Sequence, residues 1–428
     1  MKLKVRKSTL SGSVVIPGSK SHTIRAVVIG SLVEGTSRIR NPLLSSDTLS
    51  AVECYRSLGA QIDTSNENVW LIRGTAGRIL NEKCSIDVGN SGTTLRLAIG
   101  SAALASDSAR ISLTGDQQIR ERPIAALLQS LADLGAAGVS VNHNGCAPVE
   151  IRGTLRGGKT SIECFTSQFL SSLLLACPLA EKSSEIEVTL LNEPDYVQMT
   201  LDWLDRQKIR YENHEFKHII IPGSQRYKPF DSPIAADFSS AAFFLCGAAL
   251  LAEEVALTGL DFSDSQPDKA VADYLKAMGA DISWDKNVVR IKKSVLRGID
   301  IDMNRTPDAL PVMAVTAAFA EGTTRLLNVP QARKKETDRI ACMAAELKKL
   351  GADIEELPDG LVIRGGRPLT AAAVHGRFDH RIVMALSIAG MALDGQTTIE
   401  TAEAMNVTFP SYADLMKSLG GDLQLSEE

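Results

Sequence analysis

The sequence predicts a two-domain α/β protein built from six copies of one unit, three per domain. Three observations predict it. A glycine-ended helix recurs at a nearly constant interval, an Ala-rich apolar helix recurs at the same interval, and a short strand-like segment follows each helix. The length agrees, because 428 residues exceed what one ordinary core organises.

The glycine-ended helices read YRSLGAQI at Gly59, LADLGAAGVSV at Gly135, LKAMGADI at Gly279, LKKLGADI at Gly351 and MKSLGGDL at Gly420. LDWLDRQKIRYE fills the remaining gap, with Lys208 where the others carry glycine. Successive members lie 69–76 residues apart. Glycine belongs where a helix closes in the left-handed conformation, since it has no Cβ to clash. Lys208 therefore fits the series least well.

The apolar helices begin at Ser21, Gly92, Ser167, Ser239, Leu310 and His380. They are apolar on most faces, which predicts burial, whereas the glycine-ended helices carry charge and are expected nearer the surface. Strands alternating with helices favour parallel or mixed pairing.

Composition narrows the function. A net charge of −5 and 5% aromatic residues argue against a nucleic-acid surface or an anionic membrane as partner. Any anion site must be a local concentration of Lys and Arg. The seven cysteines are scattered, with no CxxC pair and no His at ligand spacing, so we expect a reducing compartment and no metal. MKLKVRKSTLSG has no apolar run typical of a secretion signal, and the apolar stretch around Ala241 to Ala252 is too short to span a bilayer. A cytoplasmic location is expected.

Polar residues cluster where the apolar helices begin. The clusters are Gly18-Ser19-Lys20-Ser21 with Arg25, Gly89-Asn90-Ser91-Gly92-Thr93-Thr94 with Arg96, and Thr166-Ser167-Gln168. The later three are Asp237-Phe238-Ser239-Ser240, Thr306-Pro307-Asp308 and Asp379-His380-Arg381. Ordinary N-capping explains the hydroxyls and Asp. It does not explain Lys20, Arg25 and Arg381, because a cation at the positive end of a helix costs several tenths of a kcal/mol or more unless an anion is bound there. Arg120-Glu121-Arg122-Pro123 and the run from Arg333 to Arg339 add basic residues, and Lys335, Glu336 and Arg339 are expected on one face of a helix start. Gly18-Ser19-Lys20-Ser21 is not a phosphate loop, since Ser19 separates the glycine from the lysine.

At these residues the sequence resembles the enolpyruvyl transferases over essentially its full length. The motifs that carry the resemblance are PGSKSHTIRA, GNSGTTLR, RERP, TSQFLSSLL, PDALP, KETDR and DHR, all in order. The resemblance implies a two-domain inside-out α/β barrel of six βαβαββ repeats. The implied domains are residues 1–18 with 235–428, and 19–234. The implied reaction moves the enolpyruvyl group of phosphoenolpyruvate to the 5-hydroxyl of shikimate 3-phosphate, with release of phosphate and no cofactor, by a monomer.

Residue by residue, the resemblance assigns Lys20 to both substrates. It assigns Ser21, Arg25, Thr166, Ser167, Gln168, Tyr196, Asp308, Gln331 and Lys335 to shikimate 3-phosphate. Asn90, Gly92, Arg122, Gln168, Arg339, His380 and Arg381 fall to phosphoenolpyruvate. Asp308 and Glu336 match the carboxylates of proton transfer, with Lys20 assisting. The chemistry suits the set, because both substrates are phosphorylated carboxylates that guanidinium forks neutralise.

Departures accompany the resemblance. Val407 stands where many members have a lysine, Gln118 where some have arginine and Gln331 where some have asparagine. Asn192 and Glu193 stand where a substrate-binding serine is common, with one extra residue nearby. The competing readings are a UDP-N-acetylglucosamine enolpyruvyl transferase, whose family carries a reactive cysteine in the loop aligned with Gly115–Pro123 (absent here), and a non-catalytic anion-binding homologue.

Overall fold

The structure, a computed structural model, describes residues 1–427. The chain forms two compact units, Gly18–Ile234 and Met1–Pro17 with Ala235–Glu428.

The second repeat shows the construction. Strand Lys83–Asp87 leads into buried helix Gly92–Ala102, which crosses over to the parallel strand Arg110–Thr114. Helix Ala125–Asp133 then leads to an antiparallel hairpin, Ala136–Ser140 with Val149–Gly153. The last strand pairs with Arg110–Thr114, giving the spatial order first, second, fourth, third. Four of the six four-stranded sheets have this order along the chain, and in the other two a strand from far along the chain takes one of the places. The buried helix is needed because two parallel strands cannot be joined by a tight turn.

Three sheets borrow a strand from far along the chain. Leu10–Val15 precedes the first buried helix in sequence but pairs in parallel with Ala252–Thr258 of the fourth repeat. Asp231–Pro233 precedes the fourth buried helix but pairs in parallel with Thr36–Arg40 of the first. Lys2–Arg6 lies between Gln396–Glu400 and Asp422–Ser426, so the N-terminal strand completes the sixth sheet. Leu3 and Val5 face the core while Lys2, Lys4 and Arg6 do not, as the period of two requires.

The six apolar helices occupy Lys20–Leu32, Gly92–Ala102, Ser167–Ala176, Phe238–Leu251, Leu310–Phe319 and His380–Ala392, within a residue of their expected starts. Every residue of Phe238–Leu251 is buried. In its unit, Phe243, Phe244, Phe409 and Tyr412 form an aromatic cluster with ring centroids 5.7–6.1 Å apart, in which Tyr412 meets the other three edge-on. In the other unit, helices Gly92–Ala102 and Ser167–Ala176 touch at Gly100, where a Cβ would lie 2.4 Å from Ser172 Oγ. No helix among the described residues is long and apolar enough to cross a membrane.

The helix-end series is complete. Gly59, Gly135, Gly279, Gly351 and Gly420 have φ of +94° to +114°, and Lys208 joins them at +57°. Lys208 N–H donates to Asp205 O (2.9 Å) and Ile209 N–H to Leu204 O (2.9 Å). Gly351 and Ala352 make the same pair of bonds to Lys348 and Leu347. The backbone bonds thus hold lysine in a conformation that its side chain disfavours.

Candidate active site

In every sheet the first two strands run parallel, and the candidate residues follow their carboxyl ends, the usual ligand side of parallel sheets. Asn90, Thr166 and Asp308 each lie between a first strand and its buried helix, His380 opens the buried helix after Ala373–His375, and Lys20 opens the one after Leu10–Val15. Arg122, Tyr196 and the Lys335–Arg339 segment follow second strands. One topological rule therefore gives motifs that are scattered along the chain the same place within their repeats.

In the Gly18–Ile234 unit, Lys20 Nζ is 2.9 Å from Asp47 Oδ2, both largely buried. Asp47 lies in the first turn of the capped helix Ser46–Ser57. Arg25 is 2% exposed, yet among the described residues its guanidinium donates only to neutral oxygens: Thr200 Oγ1 (2.9 Å), Ser21 O (3.1 Å) and Tyr196 O (3.0 Å). Burial pushes its pKa down to about 10. A buried cation so placed suits an anion.

Gly92 opens the next buried helix under two guanidinium groups. A Cβ there would lie 2.5 Å from an Arg96 terminal nitrogen and 2.6 Å from one of Arg122, so any side chain would displace one or both guanidinium groups. Asn90 Nδ2 donates to Asp116 Oδ2 and Gln118 Oε1, each at 2.6 Å, so Gln118 orients Asn90. Gln168 Nε2 donates to Thr93 Oγ1 (3.1 Å), while its Oε1 is buried without a hydrogen-bond partner among the described residues. Thr166 Oγ1, Ser167 N–H and Ser167 Oγ all donate to Glu193 Oε2.

The other unit concentrates charge around Arg339, which is 1% exposed. Its Nε donates to Asp379 Oδ2 (2.8 Å), one terminal nitrogen to Asp308 Oδ1 (2.7 Å) and the other to Glu336 Oε2 (2.5 Å). Arg381 reaches Asp308 Oδ2 (3.0 Å) and Ser239 Oγ (2.7 Å). Lys335 Nζ is 3.8 Å from Asp308 Oδ1. Asp379 is fully buried, caps helix His380–Ala392 through Arg381 N–H (2.8 Å) and lies 3.9 Å from His380 Nδ1.

Desolvation alone would raise the pKa of Asp308. The charges of Arg381, Lys335 and Arg339 outweigh it, with Glu336 opposing them, and hold the carboxyl well below the usual range. Burial would lower the pKa of Arg339, but Asp379, Glu336 and Asp308 hold it above its ordinary value.

One expectation needs adjustment. Lys335, Glu336 and Arg339 do not share a helix start. The helix begins at Arg339, because the Asp338 side chain accepts from Ala341 N–H (3.0 Å) and caps it there. Glu336 still reaches Arg339 from the preceding loop. Gln331 lies apart from the Arg339 cluster's bonds and donates to Asn304 O (3.0 Å). Sequence reasoning missed Asp47 and Thr200 as partners of Lys20 and Arg25, and undervalued Asp379 beyond its motif. A capped helix start was the only signal for Asp47. Val407 ends the short helix Ala402–Val407 after the second strand of the sixth sheet, so no cation stands at that position.

The family described as EPSP synthase (3-phosphoshikimate 1-carboxyvinyltransferase) matches the chain over residues 5–416. The 3-phosphoshikimate 1-carboxyvinyltransferase of Ruminiclostridium cellulolyticum is 52% identical over 99% of this chain and 100% of its own length. That of Acetivibrio thermocellus is 52% identical over the whole of both chains. The solved structure of EPSP synthase from Acinetobacter baumannii superposes with a TM-score of 0.83 at 27% identity, covering 99% of this chain and 100% of that one. These likenesses accord with the inside-out architecture of six βαβαββ repeats.

Proposed function

The chain belongs to the EPSP synthase family, and on that premise we propose that it transfers the enolpyruvyl group of phosphoenolpyruvate to the 5-hydroxyl of shikimate 3-phosphate. The observation that carries the reading is the convergence of Asp308 and Glu336 on one buried guanidinium, Arg339. Anion binding alone needs no such carboxylates, whereas addition and elimination need two proton-transfer groups.

In the addition, the 5-hydroxyl oxygen bonds to C2 of phosphoenolpyruvate while C3 takes a proton. In the elimination, that carbon gives up a proton and the C2–O bond to phosphate breaks. Asp308 takes the hydroxyl proton and Glu336 serves the carbon, with Lys20 assisting. Arg122, Arg339 and Arg381 neutralise the phosphate and carboxylate of phosphoenolpyruvate, with Asn90, Gly92, Gln168 and His380 shaping its seat. Ser21, Arg25, Thr166, Ser167, Gln168, Tyr196, Gln331 and Lys335 serve shikimate 3-phosphate.

The low pKa of Asp308 fits this scheme. Without substrate, Arg339 and Arg381 suppress its basicity. An anionic substrate that shares those guanidinium groups offsets their charge and raises Asp308 toward a useful base. The test is phosphate release from phosphoenolpyruvate with shikimate 3-phosphate or UDP-N-acetylglucosamine as acceptor. Release with shikimate 3-phosphate alone is expected. Release only with the nucleotide sugar overturns the acceptor, and release with neither overturns the enzyme reading.

A further inference from the structure

Glu193 is a carboxylate that the proposed reaction leaves unused. It is 1% exposed, and its backbone sits in the left-handed region at φ +59°, a conformation unfavourable for a side chain of this kind. Its neighbours impose that geometry. Asn192 N–H donates to Cys164 O (3.1 Å) and Asn192 Nδ2 to Phe165 O (3.1 Å), while Tyr196 N–H donates to Glu193 O (3.1 Å). Pro194 then opens the helix Pro194–Arg206.

The side chain so placed meets the start of the ten-residue helix Ser167–Ala176. One oxygen, Oε2, accepts from Ser167 Oγ at 2.7 Å and from Ser167 N–H and Thr166 Oγ1 at 3.3 Å each. Two hydroxyls and a backbone N–H at the positive end of a helix make a seat for a phosphate oxygen. Close by in the same unit, the buried Arg25 donates to Tyr196 O, on the helix that Glu193 precedes, and has only neutral hydrogen-bond acceptors among the described residues. The seat and the cation thus belong to one anion-binding set, and a carboxylate of the chain itself fills the seat.

We propose that Glu193 is a specificity-determining residue that stands in for the substrate phosphate. Its carboxylate holds the Thr166–Ser167 seat in the ligand-free protein and must leave when the 3-phosphate enters. This rests on the reading that Thr166 and Ser167 hold shikimate 3-phosphate. A phosphate dianion brings more charge and more acceptor oxygens than a carboxylate, so it wins the seat. A group no stronger than a carboxylate gains nothing by the exchange. The substrate's apparent affinity is reduced by what the three donors give to Glu193.

The experiment compares the full-length protein with Glu193→Ala and Glu193→Gln. It measures calorimetric Kd for shikimate 3-phosphate alone, KM for phosphoenolpyruvate, and thermal melting as a check of folding. Glu193→Gln keeps the side-chain shape if alanine disturbs the loop. The expected result is a Kd for shikimate 3-phosphate about tenfold lower in both variants, or ~1.4 kcal/mol. KM for phosphoenolpyruvate is expected to change less than about twofold, a split that general loosening of the fold would not produce. A Kd unchanged or raised in folded variants overturns the stand-in role. If the unaltered protein binds shikimate 3-phosphate and releases phosphate while the variants bind no tighter, only the role of Glu193 fails. If the unaltered protein does neither, the assignment of the seat fails as well.

Discussion

Replacing Arg25 by methionine removes a buried charge while keeping an unbranched side chain. The guanidinium pays for its position: burial takes its pKa from 12.5 to about 10, or roughly 3 kcal/mol against the charged form. It recovers part of this through three hydrogen bonds, to Thr200 Oγ1, Ser21 O and Tyr196 O, each contributing about 1 kcal/mol. The terms nearly cancel. Tyr196 O also keeps the Thr200 hydroxyl as a partner at 3.3 Å, so it is not left unsatisfied. Arg25→Met is therefore expected to change stability by no more than about 1 kcal/mol, a Tm shift within ~4 °C for a unit of this size. Affinity for shikimate 3-phosphate should fall by about 2–5 kcal/mol, some 30-fold to several thousand-fold, as for other buried charge contacts. Calorimetric melting and titration with shikimate 3-phosphate measure the two effects separately. A Tm loss above about 8 °C would show that Arg25 is chiefly structural. Binding preserved within about threefold would remove it from the anion seat.

Lys208→Gly relieves a left-handed lysine costing about 1–2 kcal/mol but frees the unfolded chain by ~0.4–1 kcal/mol, so melting should show a net gain of about 0.5–1 kcal/mol. Its counterpart Gly351→Ala should lose about 1 kcal/mol on conformation alone, because the nearest atom to a Cβ there is 3.6 Å away. Glu346 is fully buried and holds Lys349, Arg377 and His375 N–H. Burial would raise its pKa, but those partners bring it below 4.5. Its stabilisation is therefore present above about pH 4.5 and lost as pH falls through the lower folded value, with stability rising with pH in between. Glu346→Gln should cost about 3 kcal/mol in urea melts at pH 7, and the deficit should narrow in acid. Asp308→Asn and Glu336→Gln should each lower kcat by about 100-fold or more, far beyond their effect on substrate Kd, in steady-state and equilibrium titrations. Near-normal turnover in either refutes its role.

Much of the fold was legible in local sequence. The six apolar helices declared themselves because a helix apolar on all faces has no stable place but a core. Five glycines marked the helix ends because the left-handed cap favours a residue without a Cβ. Lys208 was located by spacing alone, and the structure supplies the reason it could be tolerated: the backbone bonds of that cap involve no side chain. The ownership of first strands was not readable from the repeat pattern. Leu10–Val15 and Asp231–Pro233 each precede a helix whose sheet they do not join, and pairing depends on a distant partner rather than on a strand's own pattern. The start of helix Arg339–Lys349 was misplaced because a charge run at helical spacing resembles a helix face, whereas the capping bond of Asp338 decides where the helix begins.

The cations at the helix starts were visible in the sequence, and with them the preference for anions. Residue type alone determines that Lys20, Arg25, Arg339 and Arg381 carry charge. Only the tertiary structure decides what each charge meets, because electrostatic energy depends on distance and burial rather than on order along the chain. Lys20 meets Asp47, Arg339 is enclosed by Asp308, Glu336 and Asp379, and Arg25 lies buried among neutral oxygens. Glu193 shows the same division. In sequence it is a departure from a family pattern, while in the folded chain it is a carboxylate held on three donors at the start of a helix.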